Sequence, residues 1–178
     1  MTGKIQVIFL AIFILIFQST GKPQFKEGMH YAGPSIGLSF LGSAFQFGGN
    51  YEYGININNF GNIGVGGILR YWSYSEKFLG GEWSYSNFLI GAQGNYHFNI
   101  NLFENIDPYA GIVLAYDGSS VSFKGTQNNY PTPSHGGFWL GFQGGVRYWI
   151  NPQTSITGRV GFGTLSYGAL EVGVDFKF

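Results

Sequence analysis

The chain has 178 residues, 9 of them basic and 9 acidic, for a formal net charge of +0. Charged residues make up 10%, against about 25% in an ordinary soluble domain, and their place is taken by 30 glycines and a 19% share of aromatics. That composition excludes a disordered chain and a basic nucleic-acid binder, and the lack of cysteine excludes disulfides, thiolate zinc sites and Cys nucleophiles.

Residues 1–21 read as a cleavable signal peptide. Lys4 is a short basic head, and Ile5 to Phe17 form an apolar run broken only by Gln6. Such a run is too short to span a membrane as a helix, which needs about 20 residues. Ser19, Thr20 and Gly21 supply the small residues of a cleavage site. Residues 22–33 are expected to be an N-terminal lead-in on the periplasmic side.

From residue 34 the apolar period is 2. Strands are expected near 34–41, 45–57, 63–74, 86–98, 108–116, 138–150, 155–165 and 170–178. In 45–57 one face carries Phe45, Phe47, Tyr51, Tyr53, Ile55 and Ile57, while the other carries Gln46, Asn50, Glu52 and Asn56. In 170–178, Leu170, Val172, Val174, Phe176 and Phe178 are separated from Glu171, Gly173, Asp175 and Lys177. The run 108–116 is apolar on both faces. Turns at 58–62 and 151–154 are short, and 99–107 is somewhat longer. Between them fall the long connections 75–85 and 117–136, with tight hairpins near 42–44 and 166–168. Short turns at one end and longer loops at the other fit a transmembrane barrel.

Composition then decides which face meets water. A soluble barrel with its polar face outward would carry many Lys and Glu there. This face is rich in Gly and holds isolated charges: Glu52, Arg70, Arg147, Arg159, Glu171 and Asp175. Small residues and paired charges suit the narrow lumen of an eight-stranded barrel, and bulky apolar residues suit lipid. The expected fold is all-β, an antiparallel up-and-down eight-stranded transmembrane β-barrel over 34–178. The six charges are expected to form a network that plugs the lumen. A turn at 59–63 would set Glu52 opposite Arg70, and a loop at 165–169 would set Arg159 opposite Asp175. The competing reading has the same side chains lining a narrow water-filled pore.

Aromatics near strand ends are expected to form interfacial girdles. One is Tyr71, Tyr74, Trp83 and Tyr85; the other is Tyr96, Phe98, Tyr109, Tyr148 and Phe178. Trp72, Trp139 and Trp149 fall on the polar face, near the mouths of the lumen.

The last strand, EVGVDFKF, places Gly173, Phe176 and Phe178 in a pattern that resembles the C-terminal insertion signal of bacterial outer-membrane barrels. With its leader and eight strands, the chain resembles the small OmpA/OmpX-type barrels. That resemblance implies residence in the bacterial outer membrane, contact with outer-membrane lipid, and recognition of the last strand by the barrel-assembly machinery.

The chemistry-bearing residues are few. No His/Asp/Glu cluster has metal spacing, no cofactor is expected, and Gly64 to Gly67 recur at strand period instead of opening a helix. Ser134 and His135 raise a lipid-active pair. Adjacent residues of a strand point to opposite faces, however, so the two do not converge. The expected role is therefore non-enzymatic: a structural or surface-contact barrel, with the loops near 75–85 and 117–136, including Tyr130 and His135, displayed to an unidentified external ligand. The alternatives are a narrow pore or carrier for small solutes, a lipid-modifying enzyme, and a secreted barrel binding an apolar ligand.

Overall fold

The computed structural model describes residues 25–58, 60–78, 80–99, 105–125, 136–165 and 167–178. They form one closed antiparallel barrel in which each strand pairs with the next and the last with the first. The strands are β1 His30–Ser39, β2 Phe45–Ile57, β3 Gly61–Phe78, β4 Gly81–His97, β5 Ile106–Gly125, β6 Gly137–Asn151, β7 Thr154–Gly163 and β8 Gly168–Lys177. Closure removes every sheet edge at the level of the belt, which hydrocarbon requires.

Alternation assigns the faces as expected. Glu52, Arg70, Arg147, Arg159, Glu171 and Asp175 are all buried in the lumen, with Trp72, Trp139 and Trp149. Outward, Phe45, Phe47, Ile90, Ile112, Phe138, Phe142 and Val172 lie bare. A belt of that size is a lipid contact, since soluble monomers expose apolar patches of only a few hundred Å².

The strand ends depart from expectation. β1 begins at His30, so residues 30–33 belong to the wall. β3 and β4 pair as far as Phe78 and Gly81, so most of the segment 75–85 is paired strand, and Gly80 has a φ of 75°. Similarly, 117–125 is strand and pairs with β4 up to Gly81 and Gly125. One end of the barrel carries the start of β1 and the end of β8, together with the facing ends of β2 and β3, β4 and β5, and β6 and β7; it is called the terminal end below. The opposite end is the hairpin end, and there β3, β4 and β5 rise above their neighbours.

Two registers also differ. Ile57 pairs with Gly61, so the turn is the three residues 58–60, and Glu52 faces Gly66 while Arg70 faces Gly48. Arg159 faces Glu171, and Asp175 faces Ser155. Each shift is four residues along one strand. An even shift leaves every side chain on its face, so the lumen assignment survives while the pairings change.

Candidate functional site

The lumen holds two layers of charge. Nearer the terminal end, Arg147 on β6 is the hub. Its Nη2 donates to Glu52 on β2, its Nε donates to Asp175 Oδ2 on β8 at 2.8 Å, and its Nη1 lies 3.6 Å from Asp107 Oδ2 on β5. Thr157 Oγ1 donates to the same Asp175 oxygen at 2.7 Å. Asn95 Nδ2 donates to Glu52 Oε1 at 2.6 Å. His97 Nδ1 lies 2.9 Å from Asp107 Oδ1, and Nε2 lies 3.4 Å from Glu52 Oε1. Three carboxylates thus surround one guanidinium and one imidazole. The rings of Tyr31 and Tyr109 stand 5.2 and 5.4 Å from the guanidinium carbon, close enough for a cation–π contribution.

The second layer inverts this arrangement. Here one carboxylate, Glu171 on β8, lies between two guanidiniums. Arg159 Nε donates to Glu171 Oε2 at 2.7 Å, and Arg70 Nη2 donates to the same oxygen at 3.0 Å. Arg70 Nη1 also donates to the Gly49 and Leu69 carbonyls, each at 2.7 Å. Asn50 Oδ1 accepts from both arginines. Gln46 donates to Glu171 and accepts from Tyr167. Between the layers, Gln143 Nε2 donates to Gln93 and Asn95 at 2.8 and 2.7 Å. The cavity beside Arg70, Gln143, Tyr167 and Glu171 measures about 20 Å³, room for one or two waters.

Toward the hairpin end the lumen turns apolar. Trp72 stacks on Tyr167 with centroids 4.4 Å apart, and Trp139 meets Tyr167 edge-on at 5.4 Å. Leu89, Val113 and Ala115 fill the wall beside them. Beyond this cap the inner face of the raised strands is aromatic. Tyr74 stacks on Tyr85 at 4.7 Å, and Trp83 lies 4.6 Å from Phe123.

At the terminal end the chain before β1 folds into the mouth. Phe25 is buried and stacks on His97 at 3.6 Å and on Tyr31 at 4.6 Å. Gly28 N donates to the Gly54 carbonyl, and Gly54 N donates to Met29. A Cβ at Gly54 would stand 2.1 Å from the Lys26 carbonyl oxygen, so the strap can lie there only over a glycine.

The structure therefore brings all six expected charges into two clusters, joined by members the sequence reading did not include: Asp107, His97, Asn50, Gln46 and Tyr167. His97 stands at the end of β4 on the inner face, between Asp107 and Glu52. Asp107 was assigned to a turn, yet it is a wall residue of β5. The girdle assignment needs correction at four positions. Tyr74, Trp83 and Tyr85 share the inner face with Trp72, and Tyr109 is buried against Arg147. Tyr71 and Phe178 do face outward. Phe178 pairs its backbone with His30 through two bonds of 3.0 Å, completing the β1–β8 seam. Tyr130, Ser134 and His135 lie outside the described residues, as does the expected leader 1–21.

No family model matches the chain, and no curated protein does. Solved structures do match it. The N-terminal β-barrel domain of Pseudomonas aeruginosa OprF is 15% identical with a TM-score of 0.57, over 85% of this chain and 98% of that one. OprG of the same organism is 12% identical with a TM-score of 0.59, over 89% and 99%. Ail, the attachment invasion locus protein of Yersinia pestis, is 15% identical with a TM-score of 0.53, over 86% and 100%. The fold is that of the small eight-stranded outer-membrane barrels. At these identities the likeness is one of fold, and the filling of this lumen is read from its own residues.

Proposed function

We propose that the protein is an integral barrel of the bacterial outer membrane that serves as a rigid, non-enzymatic scaffold for an external surface, its lumen closed by its own side chains. The terminal end would face the periplasm. The hairpin end, with the raised parts of β3–β5, would face outside. The observation that carries this reading is the two-layer ion-pair filling around Arg147 and Glu171. Small barrels of eight strands have lumens that side chains can fill, and here the filling is charge-paired across the bore by residues from β2, β3, β5, β6, β7 and β8.

His97 and Asp107 have the spacing of the base half of a hydrolytic triad. Their surroundings argue against that use. The second ring nitrogen faces Glu52 instead of a nucleophile, and Phe25 covers the ring. A narrow pore has buried polar atoms in its favour: among the described residues, Nδ2 and Oδ1 of Asn87, Oγ of Ser35 and Ser155, and the indole nitrogens of Trp72, Trp139 and Trp149 have no hydrogen-bond partner. Such groups suit a hydrated passage.

Refolded in detergent micelles, the protein is expected to show a compact band on unheated gels that shifts on boiling. In planar bilayers it is expected to leave the current at baseline. Steady unitary conductance in a barrel that shows the compact band would replace the scaffold with the pore.

Gly173, Phe176 and Phe178 are proposed as the segment that the assembly machinery reads. Deleting Phe178 is expected to reduce insertion in cells severalfold while leaving detergent refolding nearly intact. Equal losses in both would mean that Phe178 acts only in the β1–β8 seam.

A further inference from the structure

The outer face of the raised strands changes chemistry abruptly. Leu69, Ile90 and Tyr116 form one cross-strand row of the apolar belt, and Tyr71 and Phe88 stand in the next. Above them the row is Ser73, Ser86 and Ser120, and the row after that is Ser75, Ser84 and Ser122. The topmost is Lys77, Glu82 and Lys124. Rows on one face are two residues apart, about 6.5 Å, and neighbouring strands lie about 4.8 Å apart. The result is a grid of six hydroxyls under two ammoniums and a carboxylate. Ser73, Ser75, Ser120 and Ser122 are exposed, and Ser75 and Ser84 share a 2.9 Å hydrogen bond.

Strand formation does not call for this pattern. Threonine or valine makes a better strand than serine, and a face meant only for water would carry more charge. The inner side of the same sheet is locked by aromatic stacking, so the grid is held rigid. Its position identifies what lies against it. The face continues the belt without a break, so any lipid whose chains rest on Leu69, Ile90 and Tyr116 has its headgroup beside the serine rows.

We infer that the serine grid of β3–β5 docks the saccharide headgroups of a glycolipid in the surrounding leaflet, with Lys77 and Lys124 meeting anionic groups on the outer sugars. Serine hydroxyls both donate and accept, as sugar hydroxyls do, and a two-dimensional array meets several of them at once. The inference rests on the membrane-barrel reading proposed above.

The test uses the full mature barrel in phosphatidylcholine nanodiscs containing either complete lipopolysaccharide or lipid A without its saccharide chain. The heat-shifted band is checked first. A protein without it overturns the membrane reading and this inference together. With the band present, lipid retained per barrel after repurification is counted by native mass spectrometry. Complete lipopolysaccharide is expected to be retained about tenfold over lipid A, equal to about 1.4 kcal/mol. The Ser84→Ala, Ser86→Ala, Ser120→Ala triple variant is expected to lose most of that preference. Ser122→Ala with Lys124→Ala is the second variant should the triple one not fold. Equal retention of both lipids, or undiminished retention by a folded variant, overturns the inference. So does equally tight binding of the polysaccharide freed from its lipid, which would make the face a receptor for soluble glycan.

Discussion

Arg147→Met is expected to cost about 3–5 kcal/mol of folding stability, the range for removing one partner of a buried ion pair. It should be the most damaging single change in the lumen. The reason is the count of groups left behind: Glu52, Asp107 and Asp175 all face this guanidinium, and all are buried. Methionine fills part of the volume, so the loss is mainly electrostatic. Urea unfolding in micelles, followed by the compact band, measures it. Adding Glu52→Gln to Arg147→Met is expected to restore part of the loss, since one stranded carboxylate disappears. A loss below about 1 kcal/mol, typical of solvent-exposed pairs, would show that water reaches this layer and that the lumen is open.

What the sequence made legible follows from parity. Period-2 alternation needs no knowledge of register to sort Glu52, Arg70 and Glu171 to one face and Phe47, Leu69 and Leu170 to the other. The pairings depended on turn length, and there the reading failed. Moving the β2–β3 turn from 59–63 to 58–60 gives Glu52 a glycine neighbour. Its real partner, Arg147, comes from the far wall through closure of the barrel, which no local spacing encodes. The raised hairpin was readable. Gly80 and Gly81 punctuate the run as glycines do at hairpin turns, and Ser120, Ser122 and Lys124 alternate with Val121 and Phe123 across what was assigned to a loop. Polarity outweighed periodicity at that point. Phe25 carried no signal, because a lone aromatic before the first strand looks the same whether it trails in water or seals a mouth.

Glu171→Gln tests the other layer and, with it, whether the lumen is sealed. The substitution keeps the shape and removes the carboxylate that, among the described residues, pairs with both Arg70 and Arg159. Arg70 retains the Gly49 and Leu69 carbonyls, and both arginines retain Asn50. The expected cost is therefore at the low end of the range for a broken buried pair, about 3 kcal/mol. The two guanidiniums then form a site that chloride would occupy if it could arrive. Below this layer stand Arg147 and Phe25, and above it Trp72, Trp139 and Tyr167. With both ends closed, raising chloride from low to high concentration should leave the variant's stability deficit relative to wild type unchanged. Recovery of most of the deficit with chloride, matched by an anion-selective current in bilayers, would mean that ions pass the aromatic cap. The scaffold reading would then give way to the pore. An unchanged deficit with a silent bilayer would place the activity of this barrel on its outer surface, because ions would have no route through a lumen whose counter-charges are all built into the wall.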